Sequence, residues 1–339
     1  MASHQVKLRY FAIVLLPICI FAIHELIHQH FIAVDLDVPL AILHDERPWL
    51  EAVGRFRFLA ASWFFVSLTL LPVALLVRKL VRPMDRSTRV AAIVTTLAIV
   101  LLAVAPTIQQ HVTSSTPRIY HQVGKAVFEA ALSQGSLPGC KGPDDSWILG
   151  TCGEIPVFSL FMRILDIINA FAGLAVGALI VGMILCLETD DTNSLEDAAA
   201  QLGQNFRQMR QQLYLTSLIL TFGMFFAASW MYWPMPMISD GERAAYNSLV
   251  TASALFTGTY FCLLMLSFYL PVAFILESRV KRLAGTAALP AETKNTIDVD
   301  AWRASHGLKE GTSDVLRAGF ALAAPILAAF AGGITPFAQ

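Results

Sequence analysis

Six stretches of this chain stay apolar for about 20 residues at a time, the length that spans a bilayer as a helix. They cover residues 10–31, 58–80, 90–106, 157–187, 213–233 and 249–276. Hydrocarbon offers no water to satisfy backbone N–H and C=O groups, so each stretch must close its own hydrogen bonds as a helix. Composition agrees: only 14% of the residues are charged and 56% are hydrophobic, whereas soluble domains carry roughly 25% charged residues. The predicted fold class is all-α: a polytopic transmembrane helix bundle of six spans with a helical cytoplasmic stalk and tail. Residues 1–277 form the membrane domain and 278–339 the tail. A seventh apolar run, 315–337, is broken in polarity only by Arg317 and contains Pro325. It is expected as a cytoplasmic or interfacial helix, with a seventh span as the alternative.

Charge placement sets the orientation. With the N-terminus inside, the cytoplasmic edges hold Lys7, Arg9, Arg78, Lys79, Arg82, Arg86, Arg89, Arg207, Arg210, Arg279, Lys281 and Arg282. The outside loops, 32–57, 107–156 and 234–248, are longer and hold fewer cations. Lys7 and Arg9 precede the first apolar run and no small-residue cleavage site follows it, which reads as a retained signal anchor. The expected location is a bacterial inner membrane with both termini cytoplasmic, or the C-terminus outside if a seventh span exists. Cys140 and Cys152 bracket a turn-rich stretch of the longest outside loop. Two cysteines on the oxidising side predict a disulfide that stiffens a hairpin. The net charge of −1 gives no field for bulk nucleic-acid binding.

Residues 194–212 form the stalk. Ser194 and Asp197 make an S-x-x-D helix start. Apolar residues then fall at Leu195, Ala199, Leu202, Phe206, Met209 and Leu213, in alternating steps of four and three. That is a heptad seam. It packs either on the subunit's own tail or on sister subunits around an axis. No proline separates the stalk from the fifth span, so one continuous helix is expected.

Ionisable groups at membrane depth are functional candidates because they are costly there. The first cluster is His24-Glu25-x-x-His28, an H-E-x-x-H pattern that in zinc peptidases supplies two metal ligands and a base. The motif resembles that of membrane-embedded site-2 metalloproteases, which implies zinc on His24 and His28 with Glu25 as base. The family's second motif is absent; Leu165-Asp166 is followed by Ile167, not glycine. Counting from the start of the first span, His24 lies about 21 Å along it, which predicts a place near the outer surface. The second cluster is Arg163, Asp166 and Asn169, where Arg163 and Asp166 pair at i, i+3 or meet the first cluster. Gly173 and Gly177 make a G-x-x-x-G. Hydroxyls at Thr216, Thr221, Thr251 and Thr257 in the fifth and sixth spans are pore-lining candidates or back-bonded packing residues. Trp230, Tyr232 and Trp233 predict an interfacial belt.

The stretches FRQMRQQLYLTSLILTFGMFFAASWMYWP and WRASHGLKEGTSDVLRAGFALAAPILAAFAGG resemble bacterial membrane proteins that include channel effectors of anti-phage defence of the Hailong type. The resemblance implies an oligomeric, ion-conducting effector restrained by a cytoplasmic ligand or protein, and it assigns no ligand residues. The sequence has no Walker A, no dinucleotide fingerprint and no nucleophile constellation, so enzymatic chemistry rests on H-E-x-x-H alone. The expected function is an oligomeric membrane channel or pore-forming effector. Leu202, Phe206 and Met209 are its gate candidates, and its surroundings are the lipid bilayer and sister copies of the chain. The alternative is an intramembrane zinc peptidase; a transporter or structural membrane subunit comes third.

Overall fold

A computed structural model describes residues 5–32, 49–113, 123–124, 126, 146–147, 150–151, 156–189, 194–287, 299–306, 308 and 311–334. The helices are α1 (Leu15–Ile27), α2 (Trp49–Val81), α3 (Arg86–Thr113), α4 (Pro156–Ile184), α5 (Leu195–Tyr232), α6 (Asp240–Ala287), α7 (Val299–Ser305) and α8 (Thr312–Ile334). A 3₁₀ turn, Leu8–Val14, leads into α1, and a π-helical turn, His28–Ile32, leaves it. Among the described residues seven helices are long and apolar enough to cross a membrane: the six expected, and α8. The chain is a polytopic helical bundle.

α4 is its centre. In its most apolar window 72% of residues are buried, against 17% for α1, α3 and α8, and it packs on α2, α3 and α5. The G-x-x-x-G is why α3 comes so close: a Cβ on Gly173 would stand 2.6 Å from the Cβ of Ala103, and one on Gly177 3.3 Å from the carbonyl oxygen of Thr96.

The run expected as a cytoplasmic or interfacial helix, or as a seventh span, is α8, one of the seven candidate spans. α8 lies along α5 and α6, and its chain presses on α6 at Gly258. A Cβ there would meet Pro325 O at 3.0 Å and Ile326 Cα at 3.1 Å. The small residues Ala321, Ala328 and Ala329 are buried on that side. Small residues permit such close helix contact. α6 also runs unbroken through the expected domain boundary at 277.

The basic edges gather at one end of the bundle. There Lys79 Nζ donates to Leu185 O (3.0 Å) and to Gln208 Oε1 (3.1 Å), Arg279 donates to Leu187 O (2.8 Å), and Asn205 Nδ2 donates to Glu188 O (2.9 Å). Helix ends leave carbonyls without intrahelical partners. Side chains of α2, α5 and α6 thus close the C-terminus of α4, two of them as cations against the negative end of its dipole. The N-terminal arm is fixed beside them, with Thr189 N–H donating to Gln5 O (3.0 Å) and Val6 N–H to Thr88 Oγ1 (3.3 Å). α8 is tied there by Arg210–Asp314 (3.4 Å), and α7 by Arg303–Glu277 (2.8 Å).

α5 is continuous, as expected, from the stalk into its span. Ser194 Oγ accepts from Asp197 N–H at 3.0 Å and donates to Asp197 Oδ2 at 2.6 Å. The helix is about 57 Å long, well beyond a hydrocarbon core of about 30 Å. Ala199, Leu202, Phe206, Met209 and Leu213 are all buried within this one chain, in the same cluster as Leu276, Val280 and Ala284 of α6 and Trp302 and Leu308 of the tail. The heptad seam is therefore filled by the subunit's own α6 and tail, and its gate candidates Leu202, Phe206 and Met209 are core residues of the single chain.

At the other end, Trp230 and Trp233 are interior rather than an interfacial belt, each at 2% exposure or less. They pack on Phe58 with ring centroids 5.2 and 5.4 Å away. A two-residue antiparallel pair joins β1 (Ser146–Trp147) to β2 (Gly150–Thr151), in the stretch expected as a hairpin. The expected Cys140–Cys152 bridge lies outside the described residues.

Asp85 caps α3. Its carboxylate accepts from the Ser87 hydroxyl and from the N–H groups of Ser87 (3.0 Å) and Thr88 (3.4 Å). The Ser87 hydroxyl chiefly, with these amides, holds its pKa below the usual carboxylate range. A depressed native pKa contributes stability above the unfolded value, lost as pH falls through the native one. Asp85→Ala should lower the thermal midpoint in detergent at pH 7 and make it less sensitive to acidification below about pH 4.

The filled seam predicts what a charge does there. Leu202→Glu or Phe206→Glu should destabilise the folded chain by about 3 kcal/mol or more, because a buried carboxylate loses water without gaining a partner. Gln204→Glu, on the exposed face, should leave the midpoint within experimental error. Thermal unfolding and particle mass in the same detergent check this: the midpoint falls for the seam variants, and the mass of the folded fraction is unchanged.

Candidate functional site

His24, Glu25 and His28 sit where α1 gives way to its π turn. An α-helix aligns i and i+4 on one face, and the wider turn beginning at His28 re-aims the residues beyond it. Such turns recur at functional sites. His28 is 3% exposed. The His24 and His28 rings lie nearly parallel, 9° apart in plane, with centroids at 6.5 Å. His24 also packs on two rings of α6, Phe256 at 4.9 Å and Tyr260 at 4.1 Å. Its Nδ1 stands 3.7 Å from Glu25 Oε1, and neither ring nitrogen has a hydrogen-bond partner among the described residues.

The stacking sets His24 level with Phe256 and Tyr260, seven and eleven residues inside the apolar run of α6 that begins at 249, about 10–17 Å from that end of the run at 1.5 Å per residue.

A cavity of about 160 Å³ opens beside them between α1, α2, α3, α4, α5 and α6. Its polar wall is His24, Glu25, His28, Asn169 and Thr257. The rest is apolar and aromatic, with Phe21 of α1, Phe65 of α2, Phe226 of α5, and Tyr260 and Phe261 of α6. Along α1 the lining runs from Val14 to His28, about 21 Å. The polar groups gather at one end of that length.

Of the expected second cluster, Asn169 reaches this cavity and is 9% exposed. Asp166, one turn earlier, does not line it, and the Arg163 side chain lies outside the described residues. The pore-lining threonines divide. Thr257 lines the cavity and donates back to Ser253 O at 3.0 Å. Thr216 is buried and donates to Gln212 O at 2.7 Å. Thr221 and Thr251 do not border the cavity. For zinc, His24, Glu25 and His28 border the same cavity, but among the described residues no three or more His, Cys, Asp or Glu side chains are grouped so that they could hold a metal ion.

Sequence reasoning does not single out Phe256 and Tyr260. Their signal is present in principle: two rings four residues apart on one face of α6, at the depth of the histidines. Without the pairing of α1 with α6, that spacing is indistinguishable from ordinary core packing.

Compared with known proteins, the chain matches no family profile, no curated protein and no solved structure. The likeness to Hailong-type channel effectors rests on the two quoted stretches alone.

Proposed function

We propose that this chain is a multi-pass membrane transport protein that moves a charged solute through the bundle, with the cavity at His24, Glu25, His28 and Asn169 as its working site. The observation that carries this reading is that titratable and amide side chains of α1, its π-helical turn and α4 border one cavity among the candidate spans. Lipid-embedded bundles hold such groups where they bind or relay solutes, since burying them without use is costly. The reading keeps transport as the function but places the path inside one subunit. A pore around a stalk axis would need Leu202, Phe206 and Met209 at its seam, and those side chains are occupied. Any oligomer would have to use other faces, such as the exposed Trp63 and Phe64 of α2, which lipid covers equally well.

The basic end is assigned to the cytoplasm of a bacterial inner membrane by the excess of Lys and Arg there. The N-terminus is then inside, and α8 as a seventh span carries the C-terminus outside. The stalk and α7 face the cytoplasm, where a regulatory ligand or protein would act.

The test is electrical. Proteoliposomes adsorbed to a sensor are presented in turn with inorganic cations, inorganic anions and organic ions, and transport currents are recorded. Wild type should give currents with at least one class. Glu25→Gln and Asn169→Leu should reduce them at least tenfold, and Thr259→Val, on the exposed face of α6, should leave them unchanged. Equal currents in all three variants, or none in wild type, would overturn the reading.

A further inference from the structure

We infer that the turn between α2 and α3, with the N-terminal arm laid against it, binds the headgroup of an anionic phospholipid. Arg78 stands in the last turn of α2 and Arg82 just past it, and Arg86 and Arg89 lie in the first turn of α3. Arg89 Nη2 donates to Arg82 O at 3.1 Å, which joins the two sides of the turn. The arm adds Lys7 and Arg9. Val6 exchanges hydrogen bonds with the Thr88 hydroxyl, its N–H donating and its carbonyl accepting, both at 3.3 Å. Lys7 is thereby set beside the first turn of α3. Lys7, Arg9, Arg78, Arg82 and Arg86 are exposed.

The sign of the ligand follows from the charges around it. Among the described residues none of these six cations is ion-paired with a carboxylate. Asp85 is the one acid of the turn, and it accepts from Ser87 and Thr88. Glu188, whose neighbour Thr189 bonds the arm at Gln5, pairs with none of the six. A second observation points to a ligand: Arg89 Nε is buried and has no hydrogen-bond partner among the described residues. Buried donors are normally satisfied, and a guanidinium is a planar fork that matches phosphate oxygens. The surroundings make the phosphate a lipid's. Leu8, Val77, Val81 and Val90, each next in sequence to one of the cations, are 51–78% exposed. A free anion makes no use of them, whereas a lipid lays its glycerol and acyl carbons on them. Groups of Lys and Arg at the end of a spanning helix attract anionic headgroups in this way.

Phosphatidylglycerol is the probe, with phosphatidylcholine as the zwitterionic lipid and inorganic phosphate as the free anion. Each is titrated into the purified full chain in non-ionic detergent, and the thermal midpoint is followed, since a ligand of the folded state raises it. The expected result is a saturable rise with phosphatidylglycerol and none with the other two at the same phosphate concentration. Arg82→Gln and Arg86→Gln together should raise the half-saturating lipid concentration at least tenfold. Arg89→Lys, which keeps the charge but removes the fork and its Nε donor, should raise it at least threefold. Lys281→Gln, which removes an exposed cation of α6 at the same end, should respond as wild type. If Arg89→Lys does not fold, the double variant decides. The inference is overturned if phosphatidylcholine gives the same rise, or if the folded patch variants respond as wild type. It is also overturned if Lys281→Gln loses as much as they do, because the attraction then belongs to the whole basic end. An equal rise with inorganic phosphate would make this a site for a free anion and sink the lipid.

Discussion

The bundle depends on how the C-terminus of one buried helix is closed. α4 brings carbonyls to the basic end with no partner inside the helix, and burying them unmet would be costly. Lys79 from α2, Asn205 from α5 and Arg279 from α6 converge on the carbonyls of Leu185, Leu187 and Glu188. Three helices are thereby registered against a fourth by contacts that are directional, which apolar packing in lipid is not. The N-terminal arm and the tail attach to the same assembly through Gln5, Arg210 and Arg303. The cations gathered at the basic end are, in several cases, also the bolts of the fold.

The fold class is legible in the sequence because the physics that produces it is local. A 20-residue apolar run can be only a helix in lipid, and the Ser194–Asp197 cap and the absence of proline after it are local too. The start and continuity of α5 come from them. α8 is harder to read. Its Ala- and Gly-rich composition names no partner, and the packing of Pro325 and Ile326 on Gly258 appears only in the structure. The stalk seam is visible as a pattern, but a heptad does not name its partner, and the partner is α6 with Trp302 and Leu308.

The site is half legible. H-E-x-x-H and Asn169 stand out as polar groups in apolar surroundings. Their meeting across α1 and α4 depends on the order in which the helices surround α4, which hydropathy does not encode. Nor does it encode the aromatic wall. Phe65, Phe226 and Phe261 read as ordinary membrane residues until they are seen to share one space with Glu25. Conversely, Thr216 stands out in sequence and is packing in the structure, where its hydroxyl returns to its own helix.

The length of α5 has a mechanical consequence. One uninterrupted helix has its N-terminal half gripped by α6 and the tail, while Gly223, Phe226 and Ala227, near its far end, form part of the cavity wall. A helix with its hydrogen bonds intact is stiff to torsion, so a turn applied at Leu202 arrives at Phe226. With side chains ending about 5 Å from the axis, a rotation of about 20° would carry them roughly 2 Å along the cavity wall. α5 thus joins the seam at Leu202 to the cavity wall at Phe226 in one stiff element.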